Sequence, residues 1–133
     1  MEFIEIIDYE KQKLLELFDK HVIASNTDLK GMITYASEAF CLISGYTKDE
    51  LVGKSHSILR HPDMPKSLYK DLWKNILDKK EWKGEVKNLK KDGGYYWVKV
   101  TITPIFDESD KHTGFSAIRE DITSQKDVEN LSF

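Results

Sequence analysis

The sequence predicts an α+β domain: a five-stranded antiparallel sheet with its short helices gathered on one face. Three observations carry this. A strand pair near the N-terminus is followed by a run of short, capped helical segments, and that run by three strands joined through turn signals. Alternation of apolar and charged residues marks the strands and divides the sheet into a dry and a wet face. Finally, 133 residues fit one domain, a size at which folding buries roughly two-thirds of the unfolded surface.

Each element has a local cause. From about Tyr9 to Lys20, Leu14, Leu15, Leu17 and Phe18 recur among Lys, Glu and Gln, the pattern of an amphipathic helix. Val22 to Thr27 reads as a strand, Asp28 to Gly31 as a turn, and Met32 to Tyr35 as the second arm of a hairpin. Ser37 caps a short helix through Ile43, which Gly45 stops. Thr47-Lys48-Asp49-Glu50 has the capping-box pattern and opens another short helix, ending at Gly53. Asp63-Met64-Pro65 starts the next helix, which runs to about Lys79 with Pro near its first turn.

Trp82 to Leu89 is the third strand, and Lys90-Lys91-Asp92-Gly93-Gly94 is a hairpin turn. The fourth strand, Tyr95 to Phe106, carries Pro104, which confines its end to an edge or irregular position. After a loop from Asp107 to Thr113, the last strand is Gly114 to Asp121. Residues 1–20 are thus an N-terminal helix, 21–123 the folded unit, and 124–133 the start of a linker helix.

A hydrophobic content of 40% with 32% charged residues is that of an ordinary globule, and a net charge of -3 argues against a dedicated nucleic-acid binder. The lysines at 79, 80, 83, 87, 90 and 91 flank a turn and a wet strand face, so they read as solvated surface. A lone cysteine, Cys41, rules out an internal disulfide and fits a reducing compartment. No apolar run reaches membrane-spanning length, and Met-Glu-Phe-Ile-Glu lacks the basic region of a signal peptide, so a cytoplasmic location is expected.

The most informative stretch runs from Arg60 to Asn88. Strand parity puts Trp82, Gly84, Val86 and Asn88 on one face and Lys83, Glu85 and Lys87 on the other. The charged set is the wet face, so Asn88 is a polar residue among apolar ones. A buried carboxamide needs partners, and its donor and acceptor suit the edge of a planar heterocycle; the alternative is a bond to neighbouring backbone. Gly84 leaves space between Trp82 and Asn88, which points to a pocket between sheet and helices. On the opposite face Leu89, Trp97 and Ile118 need a cover, and the N-terminal helix is the available lid, within the chain or across a homodimer.

Three motifs, Arg60-His61-Pro62-Asp63-Met64-Pro65, Trp82-x-Gly84-x-Val86-Lys87-Asn88 and Tyr96-Trp97-Val98, stand in this order in the span from about Lys20 to Thr123. That span resembles a PAS sensor domain, nearest to the aerotaxis-receptor type; nitrogen-fixation redox regulators share a similar Trp-x-Gly strand. Asp121-Ile122-Thr123 resembles the junction joining such domains to an effector. The resemblance implies a PAS fold, a signal-sensing role, FAD held without a covalent bond, and an output domain beyond residue 133. Light-sensing flavin domains of this fold carry a cysteine three residues after Gly53, where this chain has His56, so the resemblance favours redox over photoadduct chemistry. Those light sensors also carry a second Asn where this chain has Val98.

Cofactor contacts are therefore expected among His56, Arg60, His61, Asp63, Trp82, Asn88 and Arg119, and signal relay at Asp121 and Thr123. His61 has three readings: a cofactor bond, a haem ligand, or an organiser of its loop. Arg60 can pair with a phosphate or carboxylate through its planar fork, and Asp63 either joins it or caps the helix. His56 and His61 are five residues apart, a poor spacing for a metal pair on one helix. Arg119 shares parity with Phe115 and Ala117; if that face is the inner one, its guanidinium would stabilise an anionic reduced flavin, and a buried ion pair with Asp63 or Glu120 is the alternative. Trp73 reads as core. No nucleophile stands beside a base and no Gly-rich phosphate loop is present, so a sensor rather than an enzyme is expected. The competing expectations are a haem b gas sensor with His56 or His61 as axial ligand, and a cofactor-free dimerisation module.

Overall fold

The computed structural model describes residues 2–131. Helix α1 (Glu2–His21) leads into β1 (Ile23–Asp28) and β2 (Ile33–Ala36), then α2 (Glu38–Ser44), α3 (Lys48–Leu51), a 3-10 turn (His56–Leu59) and α4 (Lys66–Leu77). Strands β3 (Trp82–Leu89), β4 (Tyr95–Phe106) and β5 (His112–Asp121) follow, with α5 (Thr123–Glu129) last. The five strands form one antiparallel sheet in the order β2-β1-β5-β4-β3. The predicted α+β class and sheet are what the chain adopts. The last two residues of the predicted linker helix lie outside the described residues.

Local chemistry sets the helix ends. Ser37 accepts from the Phe40 amide, Gly45 closes α2 at φ 82°, and Thr47 with Glu50 completes a capping box. Asp63 does not cap α4: the N-cap position is Pro65, with no side-chain bond, because Asp63 is drawn to Lys87 Nζ at 3.0 Å instead. Pro104 sits where β4 has outrun β3, whose pairing begins at Trp82 opposite Ile102, so no ladder bond is lost. Strand β5 starts two residues earlier than predicted, because pairing with β4 continues to His112 opposite Phe106.

Two clusters make the core. One joins α4 to the sheet through Leu72, Ile76, Trp82, Val86, Tyr96, Val98, Val100 and Phe115; the other packs Ile33, Phe40, Leu51 and Leu59 beneath the short helices. Within a chain, α1 does not cover the outer face as expected. Its end is fixed near α2 and β2, where Asp19 Oδ1 accepts from Tyr35 Oη at 2.8 Å and from Lys48 Nζ at 3.3 Å. Leu14, Leu15 and Leu17 stay exposed, and Ile118 is 48% exposed. Trp97 is covered by α5, with Lys126 Nζ 4.8 Å from its ring centroid. The lysine patch is locally neutralised: Lys80 pairs with Asp78, Lys83 with Glu81, Lys87 with Asp63 and Lys91 with Glu50. Among the described residues no helix is long and apolar enough to cross a membrane.

Candidate functional site

A cavity of about 100 Å³ opens between the inner sheet face, α4 and the 3-10 turn. Its walls are apolar, with Leu72, Trp73 and Ile76 from the helix and Val86, Val98, Val100, Ile102, Phe115 and Ala117 from the sheet. Polar groups enter at Ser25, His56, Arg60, Tyr69, Asn88 and Arg119. At 10–15 Å³ of free space per water, the cavity admits roughly seven to ten waters, about 200–300 Å³ of ligand. That suits a small fused-ring system rather than a whole dinucleotide.

Arg119 is the dominant charge. It is 6% exposed, and its Nη2 donates to Ser25 Oγ at 2.9 Å and to His56 Nε2 at 2.7 Å. Its guanidinium lies 4.4 Å from the centroid of Phe40, and its Nη1 is buried with no partner. Neither predicted carboxylate reaches it: Asp63 pairs with Lys87, and Glu120 points to solvent. Burial lowers Arg119 to about 10, so it remains a cation at neutral pH. A buried cation without a counter-charge is costly, and an anionic or strongly accepting ligand would relieve it.

His56 completes this corner. Since Arg119 only donates, His56 Nε2 must accept, which places the imidazole proton on Nδ1 and keeps the ring neutral. Burial, then the Arg119 charge, hold it down at about 3 instead of 6.5. The neutral form is thus favoured in the folded state, and the unfolded chain takes up its proton first as pH falls. Stability is full above pH 6.5 and is lost toward about 3, by up to about 1.4 kcal/mol per pH unit. His56→Gln keeps an acceptor for Arg119 and removes the titration. In urea unfolding across this window, the wild type should lose stability faster than the variant; parallel curves would show that His56 titrates normally.

Asn88 lines the cavity from β3. It is 6% exposed, and its Nδ2 makes one long bond, 3.4 Å, to Tyr96 Oη across the strand pair. Much of its amide capacity is uncommitted. Arg60 joins through its backbone, which bridges to Asn88, while its side chain lies 4.1 Å from the Tyr69 ring centroid at the exposed rim.

Three predicted site residues lie elsewhere. Trp82 is not a wall of the cavity: its indole folds over Gly84 and donates from Nε1 to Asp71 Oδ2 on α4 at 3.2 Å. A Cβ on Gly84 would stand 2.5 Å from Trp82 Cη2, so the space that glycine leaves is filled by Trp82 itself. His61 accepts the Asp63 amide at Nδ1, 3.0 Å away, and organises its loop. Asp63 is exposed and ties that loop to β3 through Lys87.

Trp73, read as core, packs against the core cluster and also lines the cavity, beside Gly31, where an added Cβ would meet the indole at 3.0 Å. Tyr69 was missed as well. Tyr69, Leu72, Trp73 and Ile76 stand at i, i+3, i+4 and i+7, a helix-face signal legible in the sequence.

Asp121 and Thr123 form a junction outside the cavity. Asp121 Oδ1 accepts from the Thr123 amide at 3.0 Å and hydroxyl at 2.6 Å. The Trp97 amide donates to Thr123 Oγ1 at 3.0 Å, and the Ile122 amide to the Trp97 carbonyl at 2.9 Å. Helix α5 is therefore hinged on β4, one residue from cavity-lining Val98.

The chain is 39% identical over 118 residues to the aerotaxis receptor of Escherichia coli (strain K12), covering 89% of this chain and 23% of that protein. It is 32% identical over 102 residues to a nitrogen fixation regulatory protein of Klebsiella pneumoniae, covering 77% and 21%. It thus spans less than a quarter of the length of these relatives. Among solved structures, it matches the PAS domain of a Colwellia psychrerythraea protein with a TM-score of 0.76 at 24% identity, covering 89% of this chain and 98% of that one. A light-oxygen-voltage domain from work on a flavin analogue matches with a TM-score of 0.74 at 19% identity, covering 89% and 95%. At these identities the structural likeness is one of fold. A family model described as the PAS fold matches residues 33–119. That match takes in every wall of the cavity except those contributed by β1 and Gly31, and the chain belongs to the PAS-fold family.

Proposed function

We propose that this domain is a redox sensor that holds FAD without a covalent bond and relays its state to an output domain in the same polypeptide. The carrying observation is Arg119, a buried cation that makes no carboxylate pair among the described residues, in an otherwise apolar cavity beside the Asn88 amide. The likeness to an aerotaxis receptor and a nitrogen fixation regulatory protein supports the reading. A bound flavin would supply electron transfer with a change of charge and protonation at its ring.

The residues present fit such a group. The apolar walls suit a ring face, Asn88 offers a donor and an acceptor to its edge, and Arg119 favours negative charge there. Arg60, exposed at the rim, is the cation available to phosphates that the cavity cannot contain. In this reading Asn88 re-pairs between states. Its cross-strand neighbour Tyr96 adjoins Trp97, which holds Ile122 and Thr123. A shift there biases the docking of α5, which Tyr95 Oη–Asp127 Oδ1 at 2.7 Å and Lys126 Nζ–Glu85 Oε1 at 3.0 Å otherwise secure.

Ala117→Leu tests the cavity itself. The added carbons project into it from β5, so the variant should fold yet fail to take up FAD, while wild type binds one per chain in equilibrium titration. Equal uptake by both would place the flavin elsewhere or refute it.

Homodimerisation belongs to the same proposal, because α1 and Ile118 present apolar surface that one chain leaves bare. Removing residues 1–20 should convert a dimer to a monomer in sedimentation. An unchanged mass would remove α1 from the interface.

A further inference from the structure

Among the described residues, two buried side-chain polar atoms lack any hydrogen-bond partner, Arg119 Nη1 and Tyr69 Oη. Both residues line the same cavity, one from the sheet and the other from α4. An unpaired buried hydroxyl is costly, and two such atoms on residues that line one cavity imply a common solution. Tyr69 cannot easily turn away. The Arg60 guanidinium lies against its ring, 4.1 Å from the centroid, and the backbone of Arg60 is bridged to Asn88. Burial also pushes the Tyr69 phenol up, so the hydroxyl keeps its proton at neutral pH. It is a donor without an acceptor.

Resting on the flavin reading above, we infer that Tyr69 is a ligand-binding residue that donates a hydrogen bond to a carbonyl oxygen of the bound heterocycle. The ligand class that follows is a planar ring system with at least two acceptors, one for the Tyr69 hydroxyl and one for Arg119. A heterocycle carrying two ring carbonyls satisfies this; a purely hydrocarbon ring leaves both donors unpaired. The inference also accounts for the cation stacked over Tyr69. Arg60 shields the outer face of the phenol from water and keeps the hydroxyl aimed at the ligand.

The test compares wild type with Tyr69→Phe, using FAD and lumichrome, a two-carbonyl tricyclic ring without the ribityl and nucleotide parts. The variant should melt no lower than wild type in the absence of ligand, since it loses an unsatisfied hydroxyl. Its affinity for the ligand should fall about fivefold, the worth of one neutral hydrogen bond. The infrared carbonyl band of the bound ring should rise in frequency. Tyr69→Leu should show the same loss of affinity and the same upward shift, which keeps the test decisive if Tyr69→Phe misfolds. Normal ligand binding with the band and affinity unmoved by Tyr69→Phe would overturn the inference and leave the flavin reading intact. Lumichrome binding that depends on Tyr69, with no uptake of FAD, would uphold the inference and refute FAD. If wild type binds neither, both fall.

Discussion

Trp82→Ala should cost about 3–5 kcal/mol of stability, the range for emptying a buried tryptophan site. The indole is 9% exposed and sits in the cluster that joins α4 to the sheet. It fills the space over Gly84, and its bond to Asp71 pins β3 to the helix. Since domains of this size have only about 5–15 kcal/mol in hand, the variant should be marginal at 25 °C. The urea midpoint should fall sharply with little change in slope. Flavin affinity per folded molecule should change little, because Trp82 does not line the cavity. A variant that keeps its midpoint and loses only the ligand would return Trp82 to the pocket wall.

Arg119→Met has the second large effect, on the ligand rather than the fold. Methionine retains an unbranched stem beside Phe40 and abolishes the buried cation. Charge-assisted bonds are worth about 1.5–3 kcal/mol, and in the proposed flavin reading Arg119 directs this preferentially to the reduced, anionic state. At 30 mV per 1.4 kcal/mol for a two-electron couple, the midpoint potential should drop by roughly 30–65 mV. The Arg119 charge is also one cause of the low His56 value, so the acid titration of His56 should move upward in the variant. An unchanged potential in a protein that still binds flavin would mean that Arg119 neutralises nothing that reduction creates.

Much of the fold was legible because its signals are local. A capping box, glycine stops and two-residue alternation mark the short helices and the meander, and parity groups Asn88 with Trp82 and Val86, and Arg119 with Phe115 and Ala117. What parity does not give is where a long side chain lies along its face. Trp82 and Asn88 share one, but the Trp82 indole bends over Gly84 toward Asp71, a direction set by α4. The His61–Asp63 loop failed for a similar reason: His-Pro-Asp looks like site chemistry, while its bonds are to its own backbone and to Lys87. Arg119 meeting His56 and Ser25 unites three distant segments, and no spacing in the chain encodes that. Which helix covers the outer face is not written in strand parity, because the cover comes from another element. Within one chain the short α5 reaches Trp97 directly from β5, whereas α1 is held near α2 and β2 by Asp19.

The visible absorption spectrum tests the central claim most directly. The protein is purified, incubated with excess FAD, and freed of unbound cofactor by gel filtration. A structured flavin spectrum that travels with the protein at one cofactor per chain is the result expected. A Soret band in the purified protein, or a colourless protein after reconstitution, would contradict it.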